Sequence, residues 1–104
     1  MLEIEVDTLA ACLSDGTFDL LDVREDWEFE LCRLPGSRHI PLGEVPQRLG
    51  ELDPARALVV ICHHGVRSRV AQHFLLERGF TQVLNLNGGI DAWAMRIDSR
   101  MATY

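Results

Sequence analysis

Just past the middle of the chain runs an unbroken apolar stretch, Ala57-Leu58-Val59-Val60-Ile61. Three of its five residues are β-branched, which predicts a strand buried on both faces. Downstream, Val70, Ala71, Phe74 and Leu75 recur at helical spacing and Gly79 follows as a stop signal, so the pattern predicts an amphipathic helix over 68–78. Between strand and helix lies a short polar segment, Cys62-His63-His64-Gly65-Val66-Arg67. The rest of the chain alternates in the same manner. Short strands are expected at 4–6, 18–23, 38–40 and 82–86. Helices are expected from Asp7 or Thr8 to 13, and over 25–31, 42–49 and 90–95, with Pro46 limiting where the third begins. Turns are marked by Asp15-Gly16, Pro35-Gly36, Asp53-Pro54 and Asn87-Gly88-Gly89. Strands alternating with helices in 104 residues imply a single domain over 1–104, a three-layer α/β architecture with a mostly parallel sheet. Ligands of such sheets bind beyond the carboxyl ends of the strands. The segment after Ile61 lies at that edge by construction.

Composition narrows the chemistry. Hydrophobic residues make up 47% and charged residues 25% of the chain, ordinary values for a globular protein. No apolar run approaches the roughly 20 residues needed to span a bilayer, and no basic-then-apolar leader opens the chain. Three widely spaced cysteines do not make a disulfide framework, so a reducing, cytoplasmic setting is expected, with no membrane role. The net charge of −6 is uneven. Residues 1–53 carry thirteen acids against four arginines, a balance of −9, and residues 54–104 carry three acids against six arginines, a balance of +3. The acidic half argues against nucleic acid. The basic half contains the Cys62 segment and suits a small anionic substrate; the plainer alternative is two halves that attract each other. All ten basic residues are arginine, which excludes lysine general bases and Schiff-base chemistry.

Cys62 has a physical reason to be reactive. A thiolate is the nucleophilic form, and a helix N-terminus or a cationic side chain such as Arg67 favours it. Gly65 permits a tight turn, and converging loop N–H groups can hold an anion. The alternative is a buried structural cysteine closing a core strand. His63 and His64 line the segment, either as passive loop residues or as groups that assist proton transfer near neutral pH. With Cys62 they invite a metal, but adjacent residues do not normally all point at one ion and no second ligand pair at zinc-like spacing exists, so no metal is expected. Cys12 falls on a core-facing helix position. Trp27 and Trp93 read as packing.

The segment Cys62-x-x-Gly65-x-Arg67-Ser68 resembles the active-site loop of rhodanese-type sulfurtransferases. Leu20-Leu21-Asp22-Val23-Arg24-Glu25, Glu28-Phe29, Pro35-Gly36-Ser37 and Ile40-Pro41 resemble that family's N-terminal signature, and Asn87-Gly88-Gly89-Ile90-Asp91-Ala92-Trp93 its C-terminal one. The resemblance implies a small five-stranded parallel sheet flanked by helices. It also implies sulfur transfer through a Cys62 persulfide held by a loop of His63, His64, Gly65, Val66, Arg67 and Ser68, with no cofactor. The donor would be thiosulfate or a persulfide, and the acceptor cyanide in vitro or a thiol or protein in the cell. Asp22 and Arg24 match positions that the family places near the active site, as possible supporting residues. An ion pair of Arg24 with Glu28 is the structural alternative. At Cys32 and Arg33 the chain departs from the family pattern; Cys32 is either a half-buried bystander or a residue that could resolve an oxidised Cys62. The stretch 97–104 is similar to the ends of small bacterial rhodanese domains. Two rival readings remain: a catalytically weak interaction or sulfur-relay module for a partner enzyme, and a cysteine phosphatase or arsenate reductase. The phosphatase-type loop has five residues between cysteine and arginine, where this chain has four.

Overall fold

The computed structural model describes residues 2–104. Its elements in chain order are β1 (Glu3–Ile4), α1 (Val6–Cys12), β2 (Asp19–Asp22), α2 (Asp26–Leu31), β3 (Arg38–His39), β4 (Leu58–Ile61), α3 (Val66–Glu77), β5 (Val83–Leu86) and α4 (Gly89–Arg96). The five strands form one parallel sheet in the order β1-β5-β4-β2-β3. All four residues of β4 are buried, as its continuous apolar run requires of a central parallel strand.

The two-residue period of β4 divides the core. Val59 and Ile61 face a cluster with Val6 and Leu9 of α1, Leu86, and Ile90 and Trp93 of α4. Leu58, Val60 and then Cys62 face the opposite cluster, with Ala71 and Leu75 of α3. The same alternation therefore delivers the Cys62 side chain to the α3 side of the sheet. β4 is flanked by β5 on one side and β2 on the other, so the chain order reverses between β4 and β2. That crevice at the carboxyl ends is where open parallel sheets bind ligands. Asp22 lies opposite Ile61 in the register, and the Val23 N–H donates to the Ile61 carbonyl at 3.0 Å. Asp22, Arg24 and Cys62 thus share one rim.

Several expected boundaries move. α1 starts at Val6 rather than at Asp7 or Thr8, because Glu5 takes the extended N-cap conformation and β1 ends at Ile4. The helix expected at 42–49 is two 3₁₀ segments, Leu42–Glu44 and Pro46–Glu51, with a non-helical Arg48 inside the second. Pro46 has no N–H to give to an α-helical ladder, and Gly43 and Gly50 weaken the remainder. α3 begins two residues early, at Val66, because Gly65 takes a left-handed φ of 108° and turns the chain directly into the helix. Arg67 and Ser68 consequently belong to the first turn of α3, and the loop proper is His63-His64-Gly65. No helix among the described residues is long and apolar enough to cross a membrane.

The charge asymmetry resolves into cross-chain pairing. Arg56 meets Asp19 at 3.1 Å, Arg67 meets Glu28 at 2.6 Å and Arg69 meets Glu3 at 2.9 Å, while Arg96 reaches Asp7 and Glu5. Four of the six arginines of the second half are bound to acids of the first. These pairs tie the two halves together.

Candidate active site

Cys62 is 1% exposed and follows the last residue of β4. Its Sγ accepts the Gly65 N–H at 3.0 Å and lies 3.2 Å from Ser68 Oγ. The Ser68 hydroxyl donates to Asn85 Oδ1 on β5, and Asn85 Nδ2 in turn donates to the Gly65 carbonyl at 3.1 Å. A hydroxyl carries one proton. While it is given to Asn85, Ser68 can only accept from a Cys62 S–H; to support a thiolate, it must turn and donate to sulfur. Gly65, Ser68 and Asn85 therefore form a small adjustable cradle around one sulfur atom.

The start of α4 fixes the back of the loop. Ile90 N–H donates to the Cys62 carbonyl at 2.9 Å, and Asp91 N–H to the His63 carbonyl at 3.1 Å. Across a trans peptide, C=O and N–H point in opposite directions. Turning these two carbonyls toward α4 turns the His63 and His64 N–H groups away from it. This approach demands Gly89: a Cβ there would overlap the carbonyl oxygens of Cys62 and His63.

Arg67 does not stand free beside the loop, as its charge had suggested. Its guanidinium makes a forked pair with the nearly buried Glu28 carboxylate, at 2.6 and 2.8 Å. Glu28 also caps α2 through a reciprocal capping box with Glu25, and accepts the Tyr104 hydroxyl at 2.7 Å. Arg67 chiefly, with help from Tyr104, holds the Glu28 carboxyl down at about 2. The Glu28 hydrogen bonds raise the Arg67 pKa above its ordinary value, with Cys62 adding a smaller push. In this arrangement the Arg67 charge is engaged by Glu28 and is not free over the loop.

Arg24 is fully buried, and its ion-pair partner is Asp22 rather than Glu28. Nε donates to Asp22 Oδ1 at 2.9 Å and Nη2 to Oδ2 at 2.7 Å; the remaining donors reach the Glu28 and Cys32 carbonyls, Cys32 Sγ at 3.7 Å and Tyr104 Oη at 3.1 Å. Burial opposes this charge, but the bonds to Asp22 and Tyr104 outweigh it and raise the Arg24 pKa. Glu28 is four residues from Arg24, and the fold uses its backbone carbonyl for Arg24 while giving its carboxylate to Arg67. Cys32 is buried, not half-buried, with its sulfur occupied by Arg24.

Tyr104 was not singled out by sequence reasoning, and no local signal marks it. Its ring stacks on His63 at 3.9 Å with planes 14° apart, and meets Trp27 edge-on at 5.2 Å. Burial pushes its phenol up to about 12. His64 lies against the other side of His63 at 3.9 Å. Trp27 is 59% exposed, so it is a rim residue, whereas Trp93 is buried core. Burial, reinforced by His64, lowers the His63 pKa and keeps its ring neutral near pH 7. Asn85 and Glu28 were also overlooked as site residues. A polar Asn inside the apolar strand Val83–Leu86 was the available signal, since buried amides need partners.

Donor atoms of His63, His64 and Asp91, without Cys62, lie within 4.8 Å of one another. Ligands sharing one zinc at about 2.1 Å sit roughly 3.4 Å apart, so these side chains would have to close in to hold an ion.

A buried strand-end cysteine, cradled by N–H and hydroxyl groups at the switch point of a five-stranded parallel sheet, defines a rhodanese-type site. Residues 5–96 match the Rhodanese-like domain family, and the chain belongs to it. It is 37% identical over 93 residues to a sulfurtransferase of Allochromatium vinosum, covering 88% of this chain and 87% of that protein. It is 42% identical over 80 residues to the putative sulfur carrier protein YrkF of Bacillus subtilis; that match covers 77% of this chain and 43% of the relative, so the chain spans less than half of that protein's length. The crystal structure of a rhodanese-related protein from Thermoplasma volcanium superposes with a TM-score of 0.86 at 29% identity, covering 93% of this chain and 94% of the other.

Proposed function

We propose that the chain, acting as one domain over residues 1–104, transfers sulfane sulfur through a persulfide on Cys62. The observation that carries the reading is the Cys62 cradle: a strand-end sulfur receiving the Gly65 N–H, with the Ser68 hydroxyl in reach. The thiolate attacks the outer sulfur of a donor and displaces the rest of it. The Gly65 N–H and the reoriented Ser68 hydroxyl stabilise negative charge on sulfur, the service that preorganised donors supply in acyl transfer. A thiol or another thiophilic acceptor then removes the sulfur and regenerates Cys62. Two half-reactions through one covalent intermediate give ping-pong kinetics. His63, His64 and Val66 form the walls, while Asp22, Arg24 and Arg67 act through position. The named relatives, a sulfurtransferase and a putative sulfur carrier, support sulfur transfer to or from a protein or thiol partner.

Mass spectrometry after treatment with a sulfane sulfur donor, thiosulfate or glutathione persulfide, tests the reading. The expected result is a gain of one sulfur on the peptide carrying Cys62, reversed by a thiol, and absent in Cys62→Ser. Cys12→Ser and Cys32→Ser should still load. Sulfur found on Cys32 in the wild type would reject the assignment.

A further inference from the structure

The charges around Cys62 bear on which donor it accepts. Arg67 is spent on Glu28 and Arg24 on Asp22, each through paired N–H contacts between 2.6 and 3.1 Å. Each pair sums to zero. His63 is held neutral, and Tyr104 keeps its proton because its pKa lies near 12. Asp91, an acid, lies beside the loop, with the exposed His64 3.8 Å from it. Two guanidinium groups near the nucleophile therefore yield no net positive field. A dianion such as thiosulfate would bring two negative charges to a rim whose Arg24 and Arg67 are both engaged by carboxylates and which carries the Asp91 carboxylate.

The same rim offers an apolar face instead. Trp27, Tyr104, His63 and His64 form a continuous row of rings with successive centroids 5.2, 3.9 and 3.9 Å apart. Val66, the first residue of α3, is 72% exposed beside the loop. Such a row suits the carbon portion of a thiol compound and brings no guanidinium to a sulfonate.

Resting on the sulfur-transfer reading above, we propose that Glu28 is a specificity-determining residue: by neutralising Arg67 it makes an organic persulfide, R–S–SH, the preferred donor over thiosulfate. The Cys62 thiolate attacks the outer sulfur. A Cys62 S–S bond forms and the donor S–S bond breaks. R–S⁻ leaves with the electron pair and is protonated by solvent, while the transferred sulfur keeps its hydrogen. Two thiol-level and sulfane sulfurs exchange partners with no net oxidation.

The test reads the loading half-reaction alone, as the rate of Cys62 persulfide formation by quenched mass spectrometry. The donors are thiosulfate and 2-hydroxyethyl persulfide. Because persulfides are intrinsically more reactive, the informative quantity is the thiosulfate-to-persulfide rate ratio and its change between variants. Glu28→Gln leaves the Arg67 charge uncompensated and should raise the ratio on the order of 10-fold. The double variant Glu28→Gln/Arg67→Gln should bring it back toward wild type. A second measurement needs no variant. Wild-type thiosulfate loading should change less than about twofold between roughly 0.02 and 0.2 M salt, because no net charge attracts the dianion. An unchanged ratio in a folded Glu28→Gln protein would overturn the proposal, as would a steep salt-dependent fall in the wild type. Failure of both donors to load Cys62 would instead reject the sulfur-transfer reading itself, and this proposal with it.

Discussion

Two polar clusters meet at the carboxyl ends of β2 and β4, and they are built to opposite ends. Beyond β2, Asp22, Arg24, Glu28, Arg67 and Tyr104 carry four formal charges, compensated in forked pairs. Nε, Nη1 and Nη2 of Arg24 all have acceptors. Beyond β4, Ser68, Asn85 and Gly65 carry no charge around the Cys62 sulfur and share fewer protons than they have places for them. The first cluster has one arrangement, and loss of any of its four charged groups leaves the opposite charge without its partner. The second has a hydroxyl proton with two alternative acceptors, and can follow a change of charge on sulfur. The chain puts its rigidity in the ion pairs and its adaptability beside the nucleophile.

The largest expected effect comes from breaking the rigid cluster. Asp22→Ala leaves the fully buried Arg24 without its counter-charge. Removing one partner of a buried pair costs about 3–5 kcal/mol, a large fraction of what a domain of this size has. Urea denaturation should show that loss. The paired replacement Asp22→Leu/Arg24→Met should recover a substantial part of it, because no buried charge remains. Equal destabilisation by the single and double replacements would mean that the cluster matters through its bonds to the Glu28 and Cys32 carbonyls and not through charge.

The adaptable cluster should answer in rate, with less change in stability. Ser68→Ala removes the hydroxyl that can turn toward sulfur and leaves Gly65 N–H as the cradle donor. Hydrogen bonds to charged groups are worth about 1.5–3 kcal/mol, so Cys62 loading or alkylation at neutral pH should slow by on the order of 10-fold or more. Ser68→Thr retains the hydroxyl and should restore most of the rate if the added methyl is accommodated. Asn85→Asp gives a further contrast, since it fixes an acceptor beside Ser68 and holds the hydroxyl proton away from sulfur. A Ser68→Ala protein with wild-type kinetics would show that the hydroxyl is a packing group.

These differences also explain what could be read from the sequence. β4, α3 and Cys62 between them were legible because each signal is local: an apolar run, a helical period, and a cysteine and glycine at the junction. The mostly parallel sheet followed from the alternation of elements, and its five strands from the family resemblance. The shared rim of Asp22, Arg24 and Cys62 followed from strand ends in one sheet. The partners of the charges were not legible, because they are chosen across the fold. Glu28 reaches Arg67 from 39 residues away and Tyr104 from 76. At four residues' separation, Glu28 looked like the partner of Arg24. The short helix α2 instead turns its carboxylate toward α3 and leaves its backbone carbonyl for Arg24. The split into acidic and basic halves was visible, but not that four arginines of the second half pair with acids of the first. Where 3₁₀ replaced α-helix over 42–51, the cause was backbone chemistry at Gly43, Pro46 and Gly50 that apolar spacing does not register.

The smallest of the expected effects separates the contribution of Glu28 from the rest of the rigid cluster by pH. Its carboxyl is lowered in the folded protein from an ordinary value near 4.5 to about 2, chiefly by Arg67. A group whose pKa is depressed on folding adds stability at pH values above its unfolded pKa. That stability is lost as the pH falls through the folded value. Glu28 should therefore stabilise fully above about pH 5 and progressively less between about pH 4.5 and 2. Because the Arg67 side chain is 34% exposed, solvent screening reduces the contribution to on the order of 2 kcal/mol. Thermal denaturation of the wild type and Glu28→Gln at intervals from pH 6 to 2 should show two curves that converge toward the acid end, with the wild type the more stable above pH 5. The neutral glutamine can still accept from Arg67 and from the Glu25 N–H, so the gap reports mainly the charge. Tyr104→Phe removes the second donor to Glu28, and its curve should lie between the other two. Parallel curves, with a constant gap down to pH 2, would mean that Glu28 acts through its capping bonds to α2 and that its pairing with Arg67 adds little to folding.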